Sequence, residues 1–344
     1  MKALVVEQPG KLAVWDVPEP PMGEYEARCK MLYGATCTGT DLHVIDGKFA
    51  EPVEYPSVIG HESIGEVVEV GKKVRNLRVG DLVTRVGTRA QTDGSVKLSW
   101  GGMCEYGLAV DHAAAQLDGV DPKQWSYFCI NRILPRDIIS PELAPMIITW
   151  RETLSFIHRF GVERGSKILV SGSGANGISL ACMAAVCGAE DITMIGSAGR
   201  AQAAERAGVT SYLDYRNQQA VSKFIDTHYG YFDFILDATG KRNSLNPYLP
   251  LLRDGGSISV YGMDDYNSYA LNPLLGPRSF QIYNGGYYEP ETHDEVINLI
   301  RAGRLDASIW IDTEQIFTWE NAPAAYEHVR NKQAIKAVIK LSRD

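Results

Sequence analysis

From residue 167 the chain alternates continuous apolar runs with helix-forming stretches, and few folds accept that alternation. The runs KILVSG (167–172), DITMIG (191–196), SYLDY (211–215), FDFILDATG (232–240) and SISVYGM (257–263) read as strands. Between them ISLACMAAVCGA, RAQAAERAG, SKFIDTHYG and NPYLPLLRDGG read as helices. Strands without a polar face need cover on both sides, so they predict a parallel sheet sandwiched by helices. The first 110 residues are different. Short apolar runs (KALVV, IGEVVEV, DLVTRV, CEYGLAV) are punctuated by Gly, Pro and Asn turns, which predicts a β-rich unit. Pro141 to Phe160 reads as one helix between the two textures, and the tail ends in two helices and a strand, AIKAVIKL (334–341).

The chain has 344 residues, enough for about two domains. Its net charge of −8 and lack of a basic stripe argue against nucleic acid and anionic membranes as partners. No apolar run approaches the length of a membrane span, and the N-terminus has no signal-like segment, so a cytoplasmic protein is expected. The six cysteines form no CxxC pair and are not a disulfide scaffold. Cys29 fits a core strand, and Cys182 and Cys187 fall on an alanine-rich helix. Only Cys37 has polar, glycine-containing neighbours that invite chemistry.

Gly172-Ser173-Gly174-Ala175-Asn176-Gly177 is GxGxxG placed between a strand and a helix, the context a dinucleotide needs. Gly172 makes the turn, Gly174 lets backbone approach pyrophosphate, and Gly177 lets helix pack on strand. The N–H groups around Ala175 and Asn176 meet the anion. An acid for the ribose 2′-hydroxyl is expected at the end of the second strand, yet Gly196 stands there, followed by Ser197 and Arg200. That leaves room for a 2′-phosphate held by Ser197 and Arg200, and leans the cofactor towards NADP over NAD. The competing reading makes Arg200 an ordinary first-turn arginine.

Two further motifs are Gly-Ala-Thr-Cys-Thr-Gly-Thr-Asp-Leu-His (34–43) and Gly-His-Glu-Ser-Ile-Gly-Glu (60–66). In this order with GxGxxG, GGMCEYGLA (101–109) and LLRDGGSISVYG (251–262), the whole chain resembles the zinc-type medium-chain dehydrogenase/reductase superfamily. The resemblance implies an α/β protein: a GroES-like β-rich catalytic domain over 1–148, completed by 286–344, and a Rossmann doubly wound parallel-sheet domain over 149–285.

It also implies a catalytic zinc. His61 matches the imidazole ligand, Glu62 the adjacent carboxylate, and Asp41 the acid that orients the His61 ring. The thiolate position is displaced by one. Counting back from Gly39-Thr40-Asp41 gives Thr38; counting along the strand gives Cys37. Cys37 is favoured, because a thiolate binds zinc far better than a hydroxyl. For the third ligand a gapless match gives Ile148, which binds nothing. Glu152, one helical turn on in Glu-Thr-Leu-Ser, is the candidate, with Glu142 a more distant one. Relatives carry a four-cysteine structural zinc near residues 85–105; Arg85–Trp100 has no cysteine, so no structural zinc is expected.

Thr40 and His43 match the family's proton relay, with a helix N-cap as the plain alternative for Thr40. The expected function is interconversion of a secondary alcohol, polyol or sugar-like, and its ketone with NAD(P) and one zinc. The segment Tyr283–Tyr288 leans the substrate towards polyhydroxy compounds. Two other readings stay open: a zinc-independent NADPH reductase of an enone, imine or quinone, and a non-catalytic nucleotide-binding protein. The resemblance further implies a homodimer or homotetramer.

Overall fold

A computed structural model describes residues 1–91 and 93–343. The chain divides into two compact units, 1–148 with 293–344, and 149–292.

In the second unit six strands run parallel in the order Ser211–Asp214, Asp191–Gly196, Lys167–Ser171, Phe232–Asp237, Leu252–Val260, Phe280–Tyr283. This is the doubly wound Rossmann order, with the first strand at the sheet's centre. Ile168, Leu169, Val170, Ile235 and Leu236 are fully buried, as the unpatterned apolar runs require. The chain reverses direction across the sheet between strands 167–171 and 232–237, and the glycine loop leaves the first of these.

Two expected helices are shorter, both because of proline. Pro141–Phe160 is helical only over Met146–Phe160. Ala144 precedes Pro145, and a residue before proline is driven out of helical conformation. The stretch 246–256 forms only a 3-10 turn, Asn246–Leu251, carrying Pro247 and Pro250; the strand begins at once at Leu252.

Glu291 ties the 289–292 turn to that helix. It accepts from Ser155 Oγ at 2.5 Å and from Arg159 Nε and Nη2 at 2.6 and 2.7 Å. The Arg159 hydrogen bonds hold its carboxyl down at about 2. A depressed acid stabilises the fold above its unfolded value and loses that contribution as pH falls through the folded one. Glu291→Gln should therefore cost on the order of 1 kcal/mol at neutral pH, given the pair's solvent exposure. It should also flatten the decline in stability between about pH 4.3 and 2, read by urea unfolding at several pH values.

The first unit holds two sheets. One runs Ile311–Phe317, Lys336–Lys340, Glu26–Ala35, Glu62–Val70, Leu82–Thr84, Arg132–Leu134, with Tyr106–Val110 also paired to 26–35. The other runs Lys11–Asp16, Lys2–Gln8, Ser57–Val58, Lys97–Leu98. Leu4, Val6, Cys29, Met31, Val67, Met103, Tyr326 and Ile339 share one core. Burial pushes the Cys29 and Cys104 thiols up to about 12, so both are packing residues. Among the described residues no helix is long and apolar enough to cross a membrane.

Candidate metal centre and cofactor loop

The strand 26–35 and the five-residue helix Asp41–Ile45 are joined by a tight turn. Asp41 N donates to Cys37 O at 3.0 Å, and Cys37 N donates to Asp41 Oδ2 at 3.0 Å. The extra residue between cysteine and Gly-Thr-Asp is absorbed inside this loop, and Cys37 is buried while Thr38 is partly exposed. His61 and Glu62 stand at the start of the strand paired with 26–35, where Ala35 is opposite Glu62.

Cys37, His61 and Glu62 are all buried, and one ligand atom from each lies within 4.8 Å of the others. Thiol, imidazole and carboxylate are the donor types zinc takes. Buried His61 Nδ1 has no proper hydrogen bond and lies 3.4 Å from Asp41 Oδ1, itself without a partner. Burial alone would lower the His61 imidazole, but the neighbouring Cys37 and Asp41 outweigh it and raise it well above its ordinary value. The residues present fit a zinc ion.

Two residues that sequence reading missed complete this cluster. Lys336, fully buried on the 336–340 strand, pairs with Glu62. Tyr326, on the helix Ala322–Arg330, donates to Asp41 Oδ2 at 3.0 Å. Burial beside Asp41 raises its phenol well above the ordinary value, so it remains a donor. Asp41 thus braces the backbone of one ligand and faces the ring of another, and Tyr326 fixes Asp41. Tyr326→Phe should weaken zinc binding about 10- to 100-fold in a chelator competition, as loss of ligand-orienting partners does.

Thr40 sits at the N-cap position, yet its side chain makes no capping bond. His43 Nδ1 is hydrogen-bonded to Gly39 O. Glu152 lies in the second unit, on the 146–160 helix; it is buried, and Tyr287 Oη donates to it at 3.2 Å. It is not the exposed surface glutamate that a plain helix would carry. Ile148 is fully buried and apolar.

In the glycine loop Gly172 has φ +110°, and Gly174 caps the helix Ala175–Val186. A Cβ on Gly177 would collide with Gly172 O. A Cβ on Gly196 would collide with Ser173 Oγ and Tyr212 Oη. Ser197 N donates to Ser173 Oγ at 3.1 Å, and Tyr212 Oη donates to Ser197 O at 2.7 Å. No carboxylate fits where a ribose-binding acid is expected. Arg200 lies half-buried just beyond, and burial lowers its guanidinium below the ordinary value.

Two family descriptions match the chain: "Alcohol dehydrogenase GroES-like domain" over 23–119 and "Zinc-binding dehydrogenase" over 177–302, together more than half its length. The chain belongs to the zinc-type medium-chain dehydrogenase/reductase superfamily. It is 26% identical over 343 residues to an L-galactonate-5-dehydrogenase of Escherichia coli (strain K12), covering 98% of each. It is 27% identical over 321 residues to a sorbitol dehydrogenase of Bacillus subtilis (strain 168), covering 89% of this chain and 87% of that one. The fold matches the alcohol dehydrogenase TADH from Thermus sp. ATN1 with a TM-score of 0.79 at 24% identity, over 99% of both chains.

Proposed function

We propose that the protein interconverts a secondary alcohol, of a polyol or sugar-like substrate, and its ketone, using NADP in preference to NAD and one zinc ion. The buried Cys37–His61–Glu62 group carries this reading, since thiol, imidazole and carboxylate within 4.8 Å of one another are a donor set zinc takes. The relatives named for L-galactonate and sorbitol support a polyhydroxy substrate.

When bound, zinc would supply polarisation of the alcohol oxygen, and the nicotinamide would supply the redox chemistry. Cys37 and His61 would hold the metal; Asp41, fixed by Tyr326, faces the His61 ring and would keep it in one orientation. Lys336 neutralises Glu62, which tempers its competition for the metal. Thr40 Oγ1, which makes no capping bond, would accept the substrate proton while giving up its own to the next group in the relay. His43, held through Nδ1 to Gly39 O, would carry that proton outwards. Gly172, Gly174, Ala175, Asn176 and Gly177 bind pyrophosphate, and Gly196, Ser197 and Arg200 frame the ribose end. The edge strand 280–283, with Ile282 exposed, supports self-association as a dimer or tetramer.

The deciding test is metal analysis of purified protein with kinetics on sorbitol and 2-butanol. About one zinc per chain and chelator-sensitive turnover are expected. Full enone, imine or quinone reduction without zinc would replace this reading with the zinc-independent reductase. Zinc contents of Glu62→Gln and Glu152→Gln decide which carboxylate is the third ligand.

A further inference from the structure

Two residues of the cysteine-free run 85–100, Arg85 and Trp100, stand against His61. Arg85 Nη1 donates to His61 O at 3.1 Å, and the Trp100 ring stands 5.4 Å from the His61 ring, tilted by 56°. Both end residues have left-handed backbone, φ +61° and +69°. Among the described residues only Asn243 and Lys332 are other non-glycines with positive φ. Such a backbone is costly for a bulky side chain and persists only where its surroundings dictate it.

Here they do. Ser99 N donates to Val58 O at 2.8 Å, and Thr88 N donates to Gly101 O at 2.9 Å. Gly87 lies so near the Trp100 carbonyl that a Cβ would sit 2.6 Å from its oxygen. Phe49 meets the indole edge-on at 5.5 Å. The backbone on either side of Trp100 is thereby held, yet its side chain remains 37% exposed, whereas Trp15 and Trp125 are partly buried and Trp150, Trp310 and Trp319 buried.

We infer that Trp100 is a specificity-determining residue, presenting an indole face beside the metal's histidine to the C–H bonds of a polyhydroxy substrate. A longer polyhydroxy chain lays more C–H bonds across an aromatic face than a short aliphatic alcohol can, and an indole N–H can serve one of its hydroxyls. The inference rests on the dehydrogenase reading above and names the contact that selects its substrate.

The test uses the holoenzyme and its Trp100→Ala and Trp100→Phe variants, with sorbitol and 2-butanol as probes. Trp100→Ala should lower the ratio of kcat/KM for sorbitol to that for 2-butanol about tenfold, mainly through KM, and Trp100→Phe should restore it to within about threefold. Zinc content and Tm are measured on each variant. An unmoved ratio, or an equal loss on both alcohols together with lost zinc, overturns the inference. If the wild type turns over no secondary alcohol, the dehydrogenase reading has failed, and tryptophan emission then decides on Trp100. A sorbitol-induced change in wild type that vanishes in Trp100→Phe supports the contact. No change, or the same change in both proteins, overturns it.

Discussion

Cys37→Ser should leave the protein folded and almost free of zinc, with kcat/KM reduced ~1,000-fold or more. A serine hydroxyl stays protonated near neutrality and is a poor zinc donor, whereas a thiolate is among the best. The exchange preserves size in a buried position, so Tm of the metal-free protein should move little. The informative partner is Thr38→Ala. Thr38 occupies the thiolate position when the motif is counted from Gly39-Thr40-Asp41, but the loop buries Cys37 against His61 and Glu62 instead. Zinc content of Thr38→Ala should match wild type. Metal retained in Cys37→Ser and lost in Thr38→Ala would reverse the assignment.

Arg200→Ala should cost about 100-fold in kcat/KM for NADP while turnover with NAD changes far less. Charge-assisted hydrogen bonds to a 2′-phosphate are worth about 2–3 kcal/mol, which converts to that factor. The prediction depends on Gly196 as much as on the arginine. Ser173 and Tyr212 fill the space an acidic side chain would need, so the loop has no carboxylate with which to reward a free ribose hydroxyl. Steady-state kinetics with both cofactors decide it. A wild type that prefers NAD, or equal losses with both cofactors, would remove the 2′-phosphate from the account.

How much of this was legible in the sequence follows from how local each feature is. The glycine loop was readable because its three roles sit within six residues of a strand and a helix. The parallel sheet was readable because strands buried on both faces carry no polar alternation. Helix ends were misjudged at Pro145 and Pro250, where a steric rule about single prolines outweighs a periodic apolar pattern. At the metal centre His61 and Glu62 came with their motif, and Cys37 came through strand phase. Lys336 and Tyr326 did not, because they reach Glu62 and Asp41 from 274 and 285 residues away. A lysine inside the apolar strand AIKAVIKL was the available signal for the first. A tyrosine on an amphipathic helix reads as core until its hydroxyl is followed. Trp100 was hidden in a segment notable only for lacking cysteine.

Those sequence distances bear on how the protein acquires its metal in a living cell. While the chain is being synthesised, Cys37, His61 and Glu62 leave the ribosome early, but Lys336 and Tyr326 arrive only after the entire 149–292 unit has been made. The 336–340 strand must also insert between 311–317 and 26–35 before the sheet behind the site is continuous. Closing so long a loop is slow and entropically costly. Until then Glu62 lacks Lys336, and Asp41 lacks the Tyr326 phenol. Zinc captured by a nascent chain would meet unbraced ligands, and tight binding has to wait for the last strand. A ribosome-stalled chain ending near residue 300 would expose the Cys37 sulfur and the His61 imidazole without the groups that discipline them, and so would be open to oxidation or to the wrong metal.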